Sequence, residues 1–245
     1  MTNPTLSILT VTFRDLSGLA KTLDSLESLR VQAGDQIEVI VQDGGTDGIE
    51  HVSARYPTVD FKSMPDGGIY EGMNTAIARS SGQSLWFLNG GDLNVIDDWH
   101  RVAEFLDRHP RDLCLFDYHL NLGSRVARVA ARPALYLHHG LPTSHQAIMY
   151  PAEPLRTSGY DLSYRIVGDY ELTARLWAAG VPTATLHLPV AEFSAGGTSQ
   201  QQAHRIAVEA RRVQREILHT PLPLRLGSRA LHLASRVRRR LATRA

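Results

Sequence analysis

Four of the aspartates that stand beside glycines in this chain are placed to do chemistry. Asp43 is followed by Gly44, Gly45 and Gly48. A carboxylate there can accept the imide N–H of a uracil or the N–H groups of a guanine, and glycine lets the backbone turn sharply beside a ligand. Asp-Gly is also the commonest turn signal. Asp66 lies in Pro65-Asp66-Gly67-Gly68-Ile69-Tyr70, just before a helical stretch that carries Asn74. The N–H groups and positive dipole end of a helix N-terminus suit a diphosphate; as a plainer role, Asp66 suits a cap or turn. Asn89-Gly90-Gly91-Asp92 closes the apolar run Leu85–Leu88. A hard cation such as Mg²⁺ or Mn²⁺ often takes one or two carboxylates plus substrate phosphates, and Asp92 at a strand end fits that use. Asp169 opens a helix in Gly168-Asp169-Tyr170-Glu171. A carboxylate at a helix entry serves as a cap, or as a general base for a hydroxyl within hydrogen-bond reach. His145-Gln146 is a further polar pair that can meet an acceptor or a diphosphate. His138, His139 and His145 beside the single Cys114 make no convincing zinc set.

Two common nucleotide signatures are missing. No Gly-Lys-Ser/Thr follows the Asp66 loop, and Thr12-Phe13-Arg14-Asp15 stands where a dinucleotide fingerprint would follow the first strand.

The elements that position these residues alternate between two periods. Ser7–Phe13 is an apolar, β-branched run that predicts a buried strand. Leu16, Leu19, Leu23 and Leu26 follow at helical spacing. Ile37–Val41 predicts a second buried strand, Ile49–Arg55 a helix, Val59–Lys62 a short strand, 69–81 a helix and 84–88 a strand. Strands alternating with helices predict a parallel, doubly wound α/β half over the first hundred residues. Asp97 or Asp98 caps a helix to about Arg108, which Pro110 stops. Leu113–Leu120 and Arg125–Ala131 predict strands, Leu135–Tyr150 a His-rich loop with an apolar end, Asp169–Ala179 a helix and Thr183–His187 a returning strand. Two more helices are expected near 201–218 and 225–241, parted by Pro221 and Pro223.

In order along the chain, these pieces resemble family 2 inverting glycosyltransferases of the GT-A fold. The likeness rests on Thr10–Phe13, Asp43-Gly44-Gly45, Pro65–Tyr70 with Met73-Asn74, Phe87-Leu88-Asn89 with Asp92, and Asp169-Tyr170. Leu141–Ile148, Glu192–Ser199 and Val213–His219 extend it to the colanic-acid-type exopolysaccharide glycosyltransferases of bacteria. The resemblance implies a Rossmann-like, mostly parallel central sheet flanked by helices, with a catalytic domain over 1–200 and a basic helical tail over 201–245. Residues 1–95 would bind the nucleotide-sugar and 96–200 the acceptor. Thr12, Phe13, Asp43, Asp66, Gly68, Asn74 and Asn89 would line the donor site. Asp43 would hold the base, Asp92 would bind Mg²⁺ or Mn²⁺, and Asp169 would deprotonate the acceptor hydroxyl. His145 and Gln146 would lie on the acceptor side. Asn89 and Gly91 stand where the family commonly has Asp. The donor would be GDP-fucose or a UDP-sugar, and the acceptor a polyprenyl-diphosphate-linked glycan.

Charge is distributed to match a surface-bound enzyme. Residues 201–245 hold eleven Arg against Glu209 and Glu216, a net +9 on a chain of net +1. Leu226, Ala230, Leu233, Val237 and Leu241 form one stripe, flanked by Arg225, Arg229, Arg236 and Arg240. Such a helix over 221–245 suits an anionic membrane surface, or docks on the body. A lone cysteine and the lack of a signal-like start fit a cytoplasmic protein. With the resemblance, this places the chain peripherally on the inner face of the bacterial cytoplasmic membrane. The acidic body argues against nucleic acid as a partner. A nucleotidyltransferase would need a basic Gly-rich loop after strand one, which Thr12–Ser17 is not; a non-catalytic sugar-nucleotide binder is the other alternative.

Overall fold

The first apolar run becomes the middle of a sheet because both of its faces are covered. Strand β1 (Leu6–Thr12) is buried at every residue. Its alternate side chains enter two different cores: Leu6 and Ile8 one, Leu9 and Val11 the other. The structure, a computed structural model, describes residues 3–194 and 203–228. Along the chain β1 is followed by α1 (Leu16–Ser25), α2 (Glu27–Ala33), β2 (Ile37–Asp43), α3 (Ile49–Ser53), β3 (Asp60–Ser63), α4 (Ile69–Arg79) and β4 (Ser84–Phe87). Then come β5 (Leu93–Asn94), α5 (Trp99–Arg108), β6 (Leu113–Asn121), β7 (Val126–Val129), β8 (Ile148–Pro151), α6 (Ala152–Ser158), α7 (Gly168–Ala178), β9 (Thr183–Ser194) and α8 (Ala203–Arg212).

The strands form one sheet in the order β3-β2-β1-β4-β8-β6-β9-β5, with β7 paired to β6. The β3-β2-β1-β4 half is wholly parallel. Beyond it β8 runs antiparallel to β4 and β6, while β9 returns parallel to β6. The α/β class is therefore as expected, with the first half wholly parallel and the second half mixed. Helices α1, α2 and α5 cover one face through Leu19, Leu23, Leu29, Trp99 and Phe105. Helices α4, α6 and α7 cover the other through Met73, Ile77, Leu155, Leu172 and Leu176. Asp15 caps α1 by accepting from Gly18 N–H, and Asp98 caps α5 by accepting from Arg101 N–H.

Some bounds differ from expectation. Strand β9 runs on to Ser194, β8 forms from the apolar end of Leu135–Tyr150, and α6 follows where no element was expected. A four-residue strand buried on both faces carries no alternation to read. Helix α8, continued as a π-helical turn over Val213–Ile217, packs with Leu137, Tyr164, Val167 and Tyr170 in a third cluster. Residues 222–228 are helical, and the rest of the expected helix to 241 lies outside the described residues, as does 195–200.

Candidate active site

In the strand order 3-2-1-4 the chain direction of the topology reverses between β1 and β4, and ligands of open α/β sheets sit outside the carboxyl ends of the strands at such a point. Thr12, Asp43 and Asn89 stand at those ends. Backbone bonds tie the ends together: Gly44 N–H donates to Thr12 O at 3.0 Å, and Gly90 N–H to Val11 O at 3.0 Å. A Cβ on Gly90 would come within 2.9 Å of Thr12 Oγ1, so only glycine lets the β4 turn close on β1. Phe13, 56% exposed, lies over Gly44, with the Arg14 guanidinium 4.8 Å from its ring centre. Asp66 folds back to accept from Gly68 N–H at 3.0 Å. Its other oxygen faces Gly44 and Gly72. Thr12, Phe13, Gly44 and Asp66 thus wall one cleft.

Asp43, expected to hold the base, is also bonded to its own turn. Gly45 N–H, Thr46 N–H and Ser63 Oγ donate to its Oδ2 at 3.0, 2.6 and 2.6 Å, and Thr46 Oγ1 donates to Oδ1 at 2.5 Å. The residue is fully buried. Burial pushes its pKa up, but these bonds from Ser63, Thr46 and Gly45 outweigh it and hold the carboxyl below the usual range. The carboxylate thus holds together the turn that follows β2. Asn74 is likewise committed: its amide donates to Tyr160 O at 3.1 Å and accepts from Tyr160 N–H at 2.7 Å. It clasps the two halves of the sheet together.

The Asn89–Asp92 turn is held by a residue the sequence reading passed over. Thr22 Oγ1 donates to Asp92 O at 2.7 Å and accepts from Gly91 N–H at 3.0 Å. Gly91 takes φ +96, which a larger residue resists. Gln146 Nε2 donates to Asp92 Oδ2 at 3.1 Å. Burial pushes the Asp92 carboxyl up to about 6 against the pull of that bond. Asn89 Oδ1 is buried with no hydrogen-bond partner. Among the described residues no cluster of three or more His, Cys, Asp or Glu side chains stands ready for a metal. Two oxygen donors, a half-desolvated carboxylate and an orphaned amide oxygen, remain; they suit a hard cation that completes its shell with phosphate and water.

Asp169 lies at the start of α7, and burial pushes its carboxyl up to about 6 despite the 2.9 Å hydrogen bond from Tyr170 N–H. It lies beside Tyr70, Tyr150 and Tyr160, whose pKa values are raised by burial first, with its own charge adding. Tyr70 Oη donates to Ile166 O at 2.7 Å and accepts from Gly168 N–H at 2.9 Å. A Cβ on Gly168 would meet the Tyr70 ring at 2.8 Å. Tyr70 therefore ties the Asp66 loop and α4 to the helix that carries Asp169.

His145 is not an open acceptor contact. It is 6% exposed, stacks on Phe87 at 5.1 Å and sits 2.8 Å from Tyr160 Oη through Nε2. Burial lowers its pKa to about 4, so it stays neutral. Gln146 points the other way, onto Asp92. This dipeptide links the Asp92 turn to the aromatic layer of Phe87, Tyr160 and Tyr70 behind Asp169. A separate groove of about 760 Å³ opens near Gly82, Pro151 and Pro182. It lies at the amino ends of β4 and β9, away from every residue above.

The family model for Glycosyl transferase family 2 matches residues 7–161. An uncharacterised glycosyltransferase of Mycobacterium tuberculosis is 30% identical over 208 residues, covering 81% of this chain and 78% of its own. A structure of S. aureus TarS matches with a TM-score of 0.64 at 17% identity, over 84% of this chain. The match spans 39% of the TarS chain in that structure. Residues 1–349 of TarS, solved with UDP-GlcNAc, match with a TM-score of 0.65 at 14% identity, over 87% of this chain and 71% of that one.

Proposed function

Because this chain belongs to glycosyl transferase family 2, we propose that it moves a sugar from a nucleoside-diphosphate donor to a hydroxyl of a lipid-linked glycan, inverting the anomeric centre. One observation carries the reading: each half of the sheet offers one desolvated carboxylate, Asp92 after β4 and Asp169 opening α7, each pushed to about 6. One sits where a diphosphate would meet a cation, the other where a base is needed near neutral pH. Phe13, Gly44 and Asp66 receive the nucleoside end. Asp169 takes the proton of the acceptor hydroxyl as that oxygen bonds to the anomeric carbon, and the bond from that carbon to the diphosphate oxygen breaks. The proton ends on Asp169 and the charge on the departing nucleoside diphosphate. Asp92, with Asn89 beside it, would hold Mg²⁺ or Mn²⁺, which neutralises the diphosphate when bound. The fold likeness to TarS, solved with UDP-GlcNAc, favours a UDP-sugar over GDP-fucose as donor.

Exposed leucines beside an arginine support an acceptor at a membrane surface. Leu222, Leu224 and Leu226 are 59, 43 and 52% exposed along 222–226, next to Arg225. Exposed leucines among arginines suit an anionic bilayer interface, and exopolysaccharide units on polyprenyl diphosphate are the acceptors that fit there. No helix among the described residues is long and apolar enough to cross a membrane. Thermal-shift titration with UDP-, GDP- and dTDP-sugars tests the donor; a ligand at 100 times its Kd adds about 2.7 kcal/mol. We expect UDP-sugars to raise Tm, more so with Mn²⁺ than with EDTA. No response to any nucleotide-sugar would sink the reading. Sedimentation with phosphatidylglycerol vesicles tests the surface: removal of 221–245 should abolish it.

A further inference from the structure

Helix α8 brings one acid to the segment that precedes Asp169. Glu209 Oε2 accepts from Ile166 N–H at 3.0 Å and from Val167 N–H at 3.1 Å, while Oε1 accepts from Arg165 N–H at 3.2 Å. Three consecutive backbone donors thus converge on one carboxylate. They are the residues immediately before α7, whose second residue is Asp169. The first N–H groups of a helix have no partner inside it. Val167, at the N-cap position, has no side chain able to supply one. Gly168 N–H is taken by Tyr70 Oη and Tyr170 N–H by Asp169 itself. The N–H of Val167 itself is taken by Glu209, some forty residues downstream. A carboxylate there also opposes the positive end of the helix dipole.

A second residue on the same helix face grips the same segment. The Arg212 guanidinium stacks over Tyr164 at 4.3 Å and donates to Ser163 Oγ at 3.1 Å. Positions three apart share a helix face. Apolar contacts from Ile206, Ala210 and Val213 to Tyr164, Val167 and Tyr170 hold α8 in place. Nothing in this arrangement brings Glu209 to a reacting atom. Its hydrogen bonds end on the peptide units that aim α7.

We propose that Glu209 is a positioning residue for the general base, setting the place and burial of Asp169 from the C-terminal helix. This rests on the reading of Asp169 as the base. The base loop is then held from two sides, by Tyr70 from the donor half and by Glu209 from α8. Whatever moves α8 moves the base.

The test uses the full chain with Glu209→Ala, Glu209→Gln, Asp169→Asn and the Asp169→Asn/Glu209→Ala pair. Amide hydrogen exchange is followed over 161–172 and the Asp169 carboxyl is titrated by NMR. In Glu209→Ala, exchange at 165–170 should quicken at least tenfold while 69–79 and 84–88 keep their protection. The Asp169 titration should fall from about 6 toward the ordinary carboxylate range as the loop admits water. Glu209→Gln keeps one acceptor oxygen and should fall between the two. Turnover is read as UDP release from UDP-GlcNAc, or from the donor giving the largest thermal shift. Glu209→Ala should lower kcat at least tenfold with donor KM within twofold, and should add nothing to Asp169→Asn. Unchanged protection at 165–170 with an unmoved Asp169 titration overturns the role of Glu209. Protection lost over the whole chain overturns it as well, because Glu209 would then be only a stability residue. Full turnover by Asp169→Asn would instead remove the base assignment, a separate failure.

Discussion

Asp169→Asn should make this protein less active and more stable at the same time. The side chain keeps its shape, and an amide oxygen can still accept from Tyr170 N–H, now at 2.9 Å. What disappears is a charge that burial disfavours. The carboxyl is pushed to about 6 in the fold, against about 3.9 in an unfolded chain. A raised carboxyl pKa gives stability that is complete below about 3.9 and is lost as pH rises through about 6. The rise of about two pH units corresponds to about 3 kcal/mol. Above pH 7 the native protein bears this whole penalty and the Asn variant none of it. At pH 8, urea unfolding should show Asp169→Asn more stable by up to about 3 kcal/mol, or about 6–12 °C in Tm for a chain of this size. At pH 4 most of the difference should vanish. Sugar transfer should fall 10²- to 10⁴-fold, the usual worth of a general base, and the native kcat should show an acid limb near 6. Equal stability of the two proteins at pH 8 would refute the burial of a charged Asp169. Retained transfer would refute its role as base.

Three other perturbations separate tasks that sequence alone merges. Gln146→Leu removes the donor to Asp92 Oδ2 and so raises the carboxyl further; the Mn²⁺ needed for half-maximal transfer should rise about tenfold, as when an outer partner of a metal ligand is lost, and an unchanged requirement would take Asp92 out of cation binding. Asp43→Ala takes the acceptor from four half-buried hydrogen bonds of the turn and should cost about 1–3 kcal/mol in urea unfolding; a weaker donor KM with undiminished stability would overturn its part in holding the turn. His145 is held neutral to about 4 by burial, against about 6.5 when unfolded. This depressed pKa gives stability present above about 6.5 and lost as pH falls through about 4, up to about 3 kcal/mol. His145→Phe should flatten that acid loss in unfolding measured at pH 7.5 and 4.5, and an unaltered slope would contradict a buried neutral ring.

The groove near Gly82 illustrates how position in a sheet outweighs concavity. It is roomy and carries Arg111, Arg156 and Arg175. It nevertheless opens at the amino ends of strands, and two of those arginines are already used: Arg156 on Gly82 O at 2.6 Å and Arg175 on Glu171 at 2.7 Å. At the other end, by contrast, the buried Asn89 Oδ1 is left without a hydrogen-bond partner.

Local chemistry was legible in the sequence wherever one short segment held the whole signal. The apolar run Ser7–Phe13 predicts a buried strand, and the structure has one at Leu6–Thr12, buried at every residue. The leucine spacing from 16 to 26 predicts α1, and the order of Asp66, Asp92 and Asp169 points to the family. The tertiary structure decided which of those polar groups face the cleft, because that depends on partners far away in the chain. Asp43 turns inward onto Ser63, Asn74 is taken by Tyr160, and His145 is sealed against Phe87. Gln146 is brought to Asp92 across 54 residues, and Glu209 to the residues before Asp169 across more than forty. A carboxylate's acceptor capacity is finite, and burial raises the cost of leaving a charge unpaired. Sequence spacing records neither term, so the roles of these residues were fixed only when the strands closed side by side.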